Sequence, residues 1–173
     1  AAAVLSRMGL SLDCWLYHPQ LDEVAQLADA HPGLTIILNH VGSPILGGPY
    51  RGKTDEVFKV WKAAITRVSN HNNVFIKLGA MPIRMPGFEG DRSLPPGSAE
   101  VAAAWRPWME TCIEAFGPAR SMYESNFPVQ KRWCSYQVCW NAFKRISASA
   151  SASEKADLFA GAAARAYRLE NVL

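Results

Sequence analysis

A chain of 173 residues, 49% of them apolar, holds enough material for one ordinary domain with its own core. A net charge of +3, a charged fraction of 19% and the lack of any basic run interleaved with aromatics exclude nucleic acid as an expected partner. No stretch approaches the roughly 18 consecutive apolar residues of a membrane span, and the opening AAAVLSRMGL shows neither a basic leader nor a cleavage pattern, so a cytoplasmic protein without a membrane partner is expected.

That opening, an alanine run without an initiator methionine, reads as the continuation of something longer. In chain order, LSLDCWLY (10–17) is a short apolar and aromatic run bounded by Gly9 and Pro19, which predicts a strand. LDEVAQLADAH (21–31) places Leu21, Val24, Ala25, Leu27 and Ala28 on one helical face, and a Pro-Gly pair stops it. LTIILNH (34–40) is β-branched and nearly all apolar, the pattern of a strand buried on both faces. After a Gly/Pro-rich loop, the stripe Val57, Phe58, Trp61, Ala64, Ile65 and Val68 predicts a helix over about 55–69.

VFIKLGA (74–80) is the third strand, and the four prolines and three glycines from Met81 to Gly97 predict a long loop. Residues 98–117 are helical by period, with Pro107 expected to kink or restart the helix. SMYES (121–125) is the fourth strand, 135–146 a further helix, and Ser151 to Glu154 a capping box that opens the last one. The order β-α-β-α-β-α-β-α-α demands parallel strands with right-handed crossovers. Four such strands fit either a small doubly wound sheet or half of a barrel. No G-x-G-x-x-G or Walker loop follows any strand, which removes the main support for nucleotide binding.

In both architectures function collects at the carboxyl ends of the strands. There stand Tyr17, His18, Pro19 and Gln20 after the first strand, and Asn39 and His40 after the second. Lys77 and a loop carrying Arg84 follow on the third, and Glu124, Ser125 and Asn126 on the fourth. All four strands ending in ionisable or strongly hydrogen-bonding groups is more than ordinary capping. Glu124 and Asn126, two apart in a strand, are expected to face the same side. His31 and His71 read as surface or capping residues, and Trp105, Trp108, Trp133 and Trp140 as helix packing. The cysteines at 14, 112, 134 and 139 form no CxxC pair and read as reduced thiols, and no Cys/His spacing fits a structural zinc site.

ILNHVGSP, NNVFIKLG, FGPARSMYESNFPV and the terminal AAARAYRL together resemble the C-terminal half of the amidohydrolase-related (amidohydrolase 2) TIM-barrel hydrolases. That group includes lactonases of sugar lactones and of pyrone dicarboxylate, and related decarboxylases. The resemblance covers nearly the whole chain and implies an α/β fold whose four parallel (β/α) units are strands five to eight of a (β/α)₈ barrel. Residues 1–173 would then be the C-terminal portion of one amidohydrolase-related domain, with strands one to four, and the family's His-x-His pair, absent from this chain. It also implies that His40 is the active-site histidine of strand six and that His18 and Tyr17 occupy a ligand or substrate position on strand five.

ESNFP stands here where the family has Gly-Ser-Asp-Trp-Pro, so Asn126 replaces the strand-eight aspartate. A neutral amide neither accepts a proton from water nor serves well as a ligand for a catalytic dication. The expectation is therefore a hydrolase that opens a lactone, or a similar cyclic ester or amide, with an activated water. Glu124 would be the base, His40 would polarise the carbonyl or hold a metal, and Asn126 would position water. His18, Tyr17, Lys77 and Arg84 would bind substrate. The cofactor expectation is none, or one divalent, zinc-like metal in the full-length enzyme. The partners are a small-molecule substrate and either a further copy of the chain or a missing N-terminal half. A decarboxylase on the same fold and a non-catalytic half barrel are the rival readings, and this fragment alone is expected to be inactive.

Overall fold

The computed structural model describes residues 1–81 and 94–169. A short helix α1 (Ala2–Arg7) precedes strand β1 (Ser11–Cys14), followed by α2 (Leu21–Ala30), β2 (Thr35–Leu38), α3 (Thr54–Ser69) and β3 (Val74–Leu78). Then come α4 (Ser98–Phe116), β4 (Ser121–Tyr123) and α5 (Tyr136–Ile146). A last helical run comprises α6 (Ala152–Ala156), a π-helical turn at Asp157–Gly161, and α7 (Ala162–Tyr167). The four strands form one sheet in the order β1-β2-β3-β4, every pair parallel. This is the arrangement of half a TIM barrel, as the family resemblance implies.

Register separates the two faces. Leu38 pairs with Ile76 and Leu78 with Tyr123, and these side chains enter the main core with the helices. The helices meet them with the stripes expected from the sequence: Leu21, Val24 and Ala28 from α2, and Val57, Trp61, Ala64, Ile65 and Val68 from α3. Trp105 and Trp108 of α4 are buried, and Phe143 of α5 stacks on Tyr123 at 4.5 Å. On the opposite face Ile37, Phe75 and Met122 meet Ala162, Ala166 and Tyr167 of the last helical run. Ile36, Ile37 and Leu38 are all wholly buried, because the sheet is covered on both sides at β2.

Four elements depart from expectation. The first strand stops at Cys14, and Tyr17 instead caps the 3₁₀ turn His18–Gln20. The fourth stops at Tyr123, short of Glu124 and Ser125. Helix α4 runs through Pro107 as one piece, since an exposed proline removes one backbone donor while the buried indoles on either side keep the helix seated. The opening alanine run, for which no element is predicted, folds as α1. The Ser151 capping box is present, with Ser151 and Glu154 each accepting the other's backbone N–H. Most of the loop predicted for 81–97, with Arg84, lies outside the described residues.

Candidate active site

The carboxyl ends of the strands converge on one cavity of about 430 Å³, lined by Trp15, Tyr17, His40, Ser43, Pro44, Ala80, Met81, Asn126 and Val129. At its edge the His40 Nδ1 and Glu124 Oε1 are 2.5 Å apart, with the two side chains only 22% and 18% exposed. The pair joins residues just past β2 and β4, which are not neighbours in the sheet; β3 passes between them. Room for this is made by Gly79, at the end of β3. A Cβ there would fall 2.5 Å from Glu124 Cγ and closer still to its carbonyl oxygen.

The backbone at the site is unusually bent. Among the described residues six non-glycine residues have positive φ, and four of them line the cavity: His40 (58°), Ser43 (42°), Ala80 (57°) and Asn126 (51°). Val41 (48°), beside His40, is the fifth. Each such residue costs on the order of 1–3 kcal/mol, and persists only where surrounding contacts overdetermine it. Those contacts are visible. The Trp61 Nε1–H donates to the Val41 carbonyl at 2.7 Å, and the Ser43 N–H to the His40 carbonyl at 2.7 Å. Gln130 donates from Nε2 to the Met81 carbonyl and from its backbone N–H to the Asn126 carbonyl, both at 2.9 Å, tying the β3 and β4 loops together.

Asn126 therefore reaches the cavity by a left-handed turn, not by the two-residue strand period that the sequence suggested. Glu124 reaches the site through His40. His18 takes a different place: it is buried, its Nδ1 accepts the Ile45 N–H at 3.2 Å, and its ring packs edge-on against Tyr50. Burial lowers its pKa, favouring the neutral imidazole. His18 thus anchors the loop after β2 and does not line the cavity. Lys77 lies on the sheet face toward α7, 2.5 Å from Asp13 Oδ1 and beneath the Tyr167 ring, whose hydroxyl donates to Asp13 at 2.9 Å. Tyr17 lines the cavity as a half-exposed ring. His71 caps α3, bonding the Val68 carbonyl and Asp29.

Sequence reasoning passed over Trp15. It is 68% exposed, with its ring 6.2 Å from His40 and 6.3 Å from Tyr17. The signal was its place one residue past the true strand end. Two further polar atoms, Asn39 Oδ1 and Ser43 Oγ, are buried without a partner among the described residues. The four cysteines are free thiols. Cys139 has its pKa raised by its hydrogen bond with Cys134 and by burial, with the charge of Glu124 adding to it, so a neutral thiol stands near the carboxylate.

Among the described residues no three of His, Cys, Asp and Glu converge as a metal site. The His40 Nδ1 is engaged by Glu124, leaving Nε2 as the one imidazole nitrogen this arrangement offers to the cavity. A carboxylate hydrogen-bonded to one ring nitrogen in this way sets the tautomer and orientation of the imidazole. The arrangement can hold water, take a proton from it and donate hydrogen bonds to an oxygen.

A parallel (β/α) half barrel with its polar side chains gathered where the strands end has the layout in which TIM-barrel enzymes carry their active sites. The amidohydrolase family model (Amidohydro_2) matches residues 1–169, and the chain belongs to that family. It is 35% identical over 165 residues to the uncharacterized protein y4mH of Sinorhizobium fredii, covering 95% of this chain and 49% of that one. It is 28% identical over 158 residues to the L-fucono-1,5-lactonase of Burkholderia multivorans, covering 91% and 51%. An amidohydrolase from Burkholderia multivorans solved with bound zinc superposes with a TM-score of 0.81 at 27% identity, covering 97% of this chain and 56% of that one. The chain thus spans about half the length of the curated relatives it matches.

Proposed function

We propose that this chain supplies the water-activating half of a lactonase active site. The observation that carries the reading is the 2.5 Å pairing of His40 Nδ1 with Glu124 at the wall of a cavity that also presents Asn126 and Ser43. Glu124 accepts the Nδ1–H and fixes the tautomer, so the lone pair on Nε2 is free to accept a proton. Nε2 takes that proton from water as the water oxygen attacks the lactone carbonyl carbon. The Asn126 amide donates to the carbonyl oxygen as negative charge develops there. The ring C–O bond then breaks, His40 returns its proton to the leaving oxygen, and a hydroxy acid departs. This moves the base from Glu124 itself, as the sequence suggested, to His40 acting with Glu124 behind it. The relative named as an L-fucono-1,5-lactonase supports the reaction class.

The test is proton release from a panel of lactones by the full-length protein. His40→Gln is expected to lower kcat by about 10³-fold or more and Glu124→Gln by about 10²–10⁴-fold, the range for losing a positioned base or its orienting carboxylate. Wild-type rates in Glu124→Gln would refute the reading. Release of carbon dioxide in place of protons would replace it with the decarboxylase.

A further inference from the structure

Resting on that reading, we propose that Gln130 is a positioning residue for the reaction. Its side chain fastens the turn carrying Asn126 to the corner at Met81, and so sets where the Asn126 amide meets the carbonyl oxygen. Gln130 stands behind the cavity wall, 1% exposed, in the 3₁₀ turn Val129–Arg132. Its Nε2 donates to the Met81 carbonyl and its backbone N–H to the Asn126 carbonyl, both at 2.9 Å. Its own carbonyl accepts the Trp133 N–H at 2.9 Å and the Cys134 N–H at 3.2 Å. Met81, Asn126 and its neighbour Val129 all line the cavity, so one buried residue ties together three positions of the wall. Chain packed outside can only add to this burial.

These bonds differ in what they demand of the sequence. The backbone bonds need only a peptide group, and any residue but proline can make them. The bond to Met81 needs a side-chain donor of this length. A carboxamide is costly to bury unless it is paired, and the pairing the structure shows joins the end of β3 to the end of β4. The sheet itself does not reach that far. Its β3–β4 register ends at Leu78 and Tyr123, with one further bond from the Glu124 N–H to the Leu78 carbonyl. Beyond it Ala80 and Asn126 both turn left-handed, at φ 57° and 51°, conformations that surrounding contacts must hold. An oxyanion donor works only over a narrow range, about 2.7–3.1 Å from where the charge develops. Drift of the Asn126 turn therefore weakens a bond made chiefly in the transition state, and lowers kcat more than it raises KM.

The experiment compares Gln130→Met with wild type in the full-length protein, with L-fucono-1,5-lactone and δ-valerolactone as substrates. Methionine keeps the length and fills the buried space but has no N–H to donate. Expected is a kcat about 10–100-fold lower, with KM within about threefold of wild type. In an Asn126→Ala background the same substitution should cost less than about threefold, because residues that act as one unit are not additive. A purely space-filling role would leave kcat near wild type. A wild-type kcat, a loss carried by KM, or additive losses with Asn126→Ala overturns the assignment. Should Gln130→Met not fold, Gln130→Glu keeps the shape, replaces the donor with an acceptor facing the Met81 carbonyl, and is read against the same limits. Amide hydrogen exchange separates the fastening from the reaction: the residue-130 N–H, bonded to the Asn126 carbonyl, should exchange about tenfold faster in the variant. If no lactone is opened but that amide exchanges faster, the reaction reading fails and the fastening of the Asn126 turn stands. If its exchange is unchanged, the fastening fails whatever the reaction.

Discussion

A methyl group added at Gly79 would lie 2.5 Å from Glu124 Cγ and inside contact distance of the Glu124 carbonyl oxygen. Neither neighbour is the far end of a long side chain that could swing clear. The backbone of Glu124 is also held, because its N–H donates to the Leu78 carbonyl at 3.2 Å in the continuing β3–β4 ladder. Gly79→Ala therefore has two outcomes, both measurable. If the strands hold their spacing, overpacking costs about 1–3 kcal/mol, read as a lower urea midpoint. If they part to admit the methyl, Glu124 moves from His40, and a displacement of about 1 Å at a catalytic group lowers the rate by on the order of 10²-fold. We expect both in part: a folded protein with native-like circular dichroism, reduced stability and a kcat about 10²-fold down. A double-mutant cycle locates the cause. If Gly79 acts through Glu124, adding Gly79→Ala to Glu124→Gln costs less than about threefold further in rate, since coupled positions are not additive. Full activity and stability in Gly79→Ala, or additive losses with Glu124→Gln, would refute the argument.

Trp61→Phe removes the indole donor to the Val41 carbonyl in a wholly buried setting. Leaving that acceptor unpaired should cost about 1–3 kcal/mol by urea denaturation and lower kcat as well, because Val41 is the residue after His40; a loss below about 0.5 kcal/mol would contradict this. Burial holds His18 below its ordinary value of 6.5, so as pH falls the unfolded chain gains a proton before the folded one does. Its contribution to stability is complete above about pH 6.5 and is lost as pH falls through the lowered folded value. The urea midpoint should therefore fall from pH 7.5 to 5.5, and His18→Gln should flatten that dependence; an equal slope in the variant would remove His18 as its source.

Much of the architecture is written in local patterns. The stripe from Val57 to Val68, the unbroken apolar run of β2 and the Ser151 capping box each depend on residues within a turn or a strand of one another, and each folds as read. The site was legible as a location, because parallel strands bring their carboxyl ends together whatever their side chains do. Its wiring was not. The His40–Glu124 pair spans 84 residues of sequence and depends on the missing side chain of Gly79, so no local period could reveal it. Lys77 looked available for substrate because its partner Asp13 sits 64 residues away on β1, a strand whose alternation is too short to show which residue faces α7. Trp15 was hidden by reading the first strand three residues too long, which made it an interior strand position and not the first residue of the cavity wall. The left-handed turns at His40 and Asn126 had no glycine to announce them, since they are sustained by bonds from Trp61 and Gln130 that arrive from other elements.

The bond from Tyr167 to Asp13 joins residues 154 apart. It fixes the order in which this unit can be completed as it leaves the ribosome. Among the described residues, the face of the sheet carrying Ile37 is covered by Ala162, Ala166 and their neighbours, so within this chain it waits for them after β2 has emerged. At about 5–20 residues per second, roughly 6–25 s pass before the covering helix follows. During that interval an apolar strand surface is open to other nascent chains, and the last helix is the element whose arrival ends the exposure.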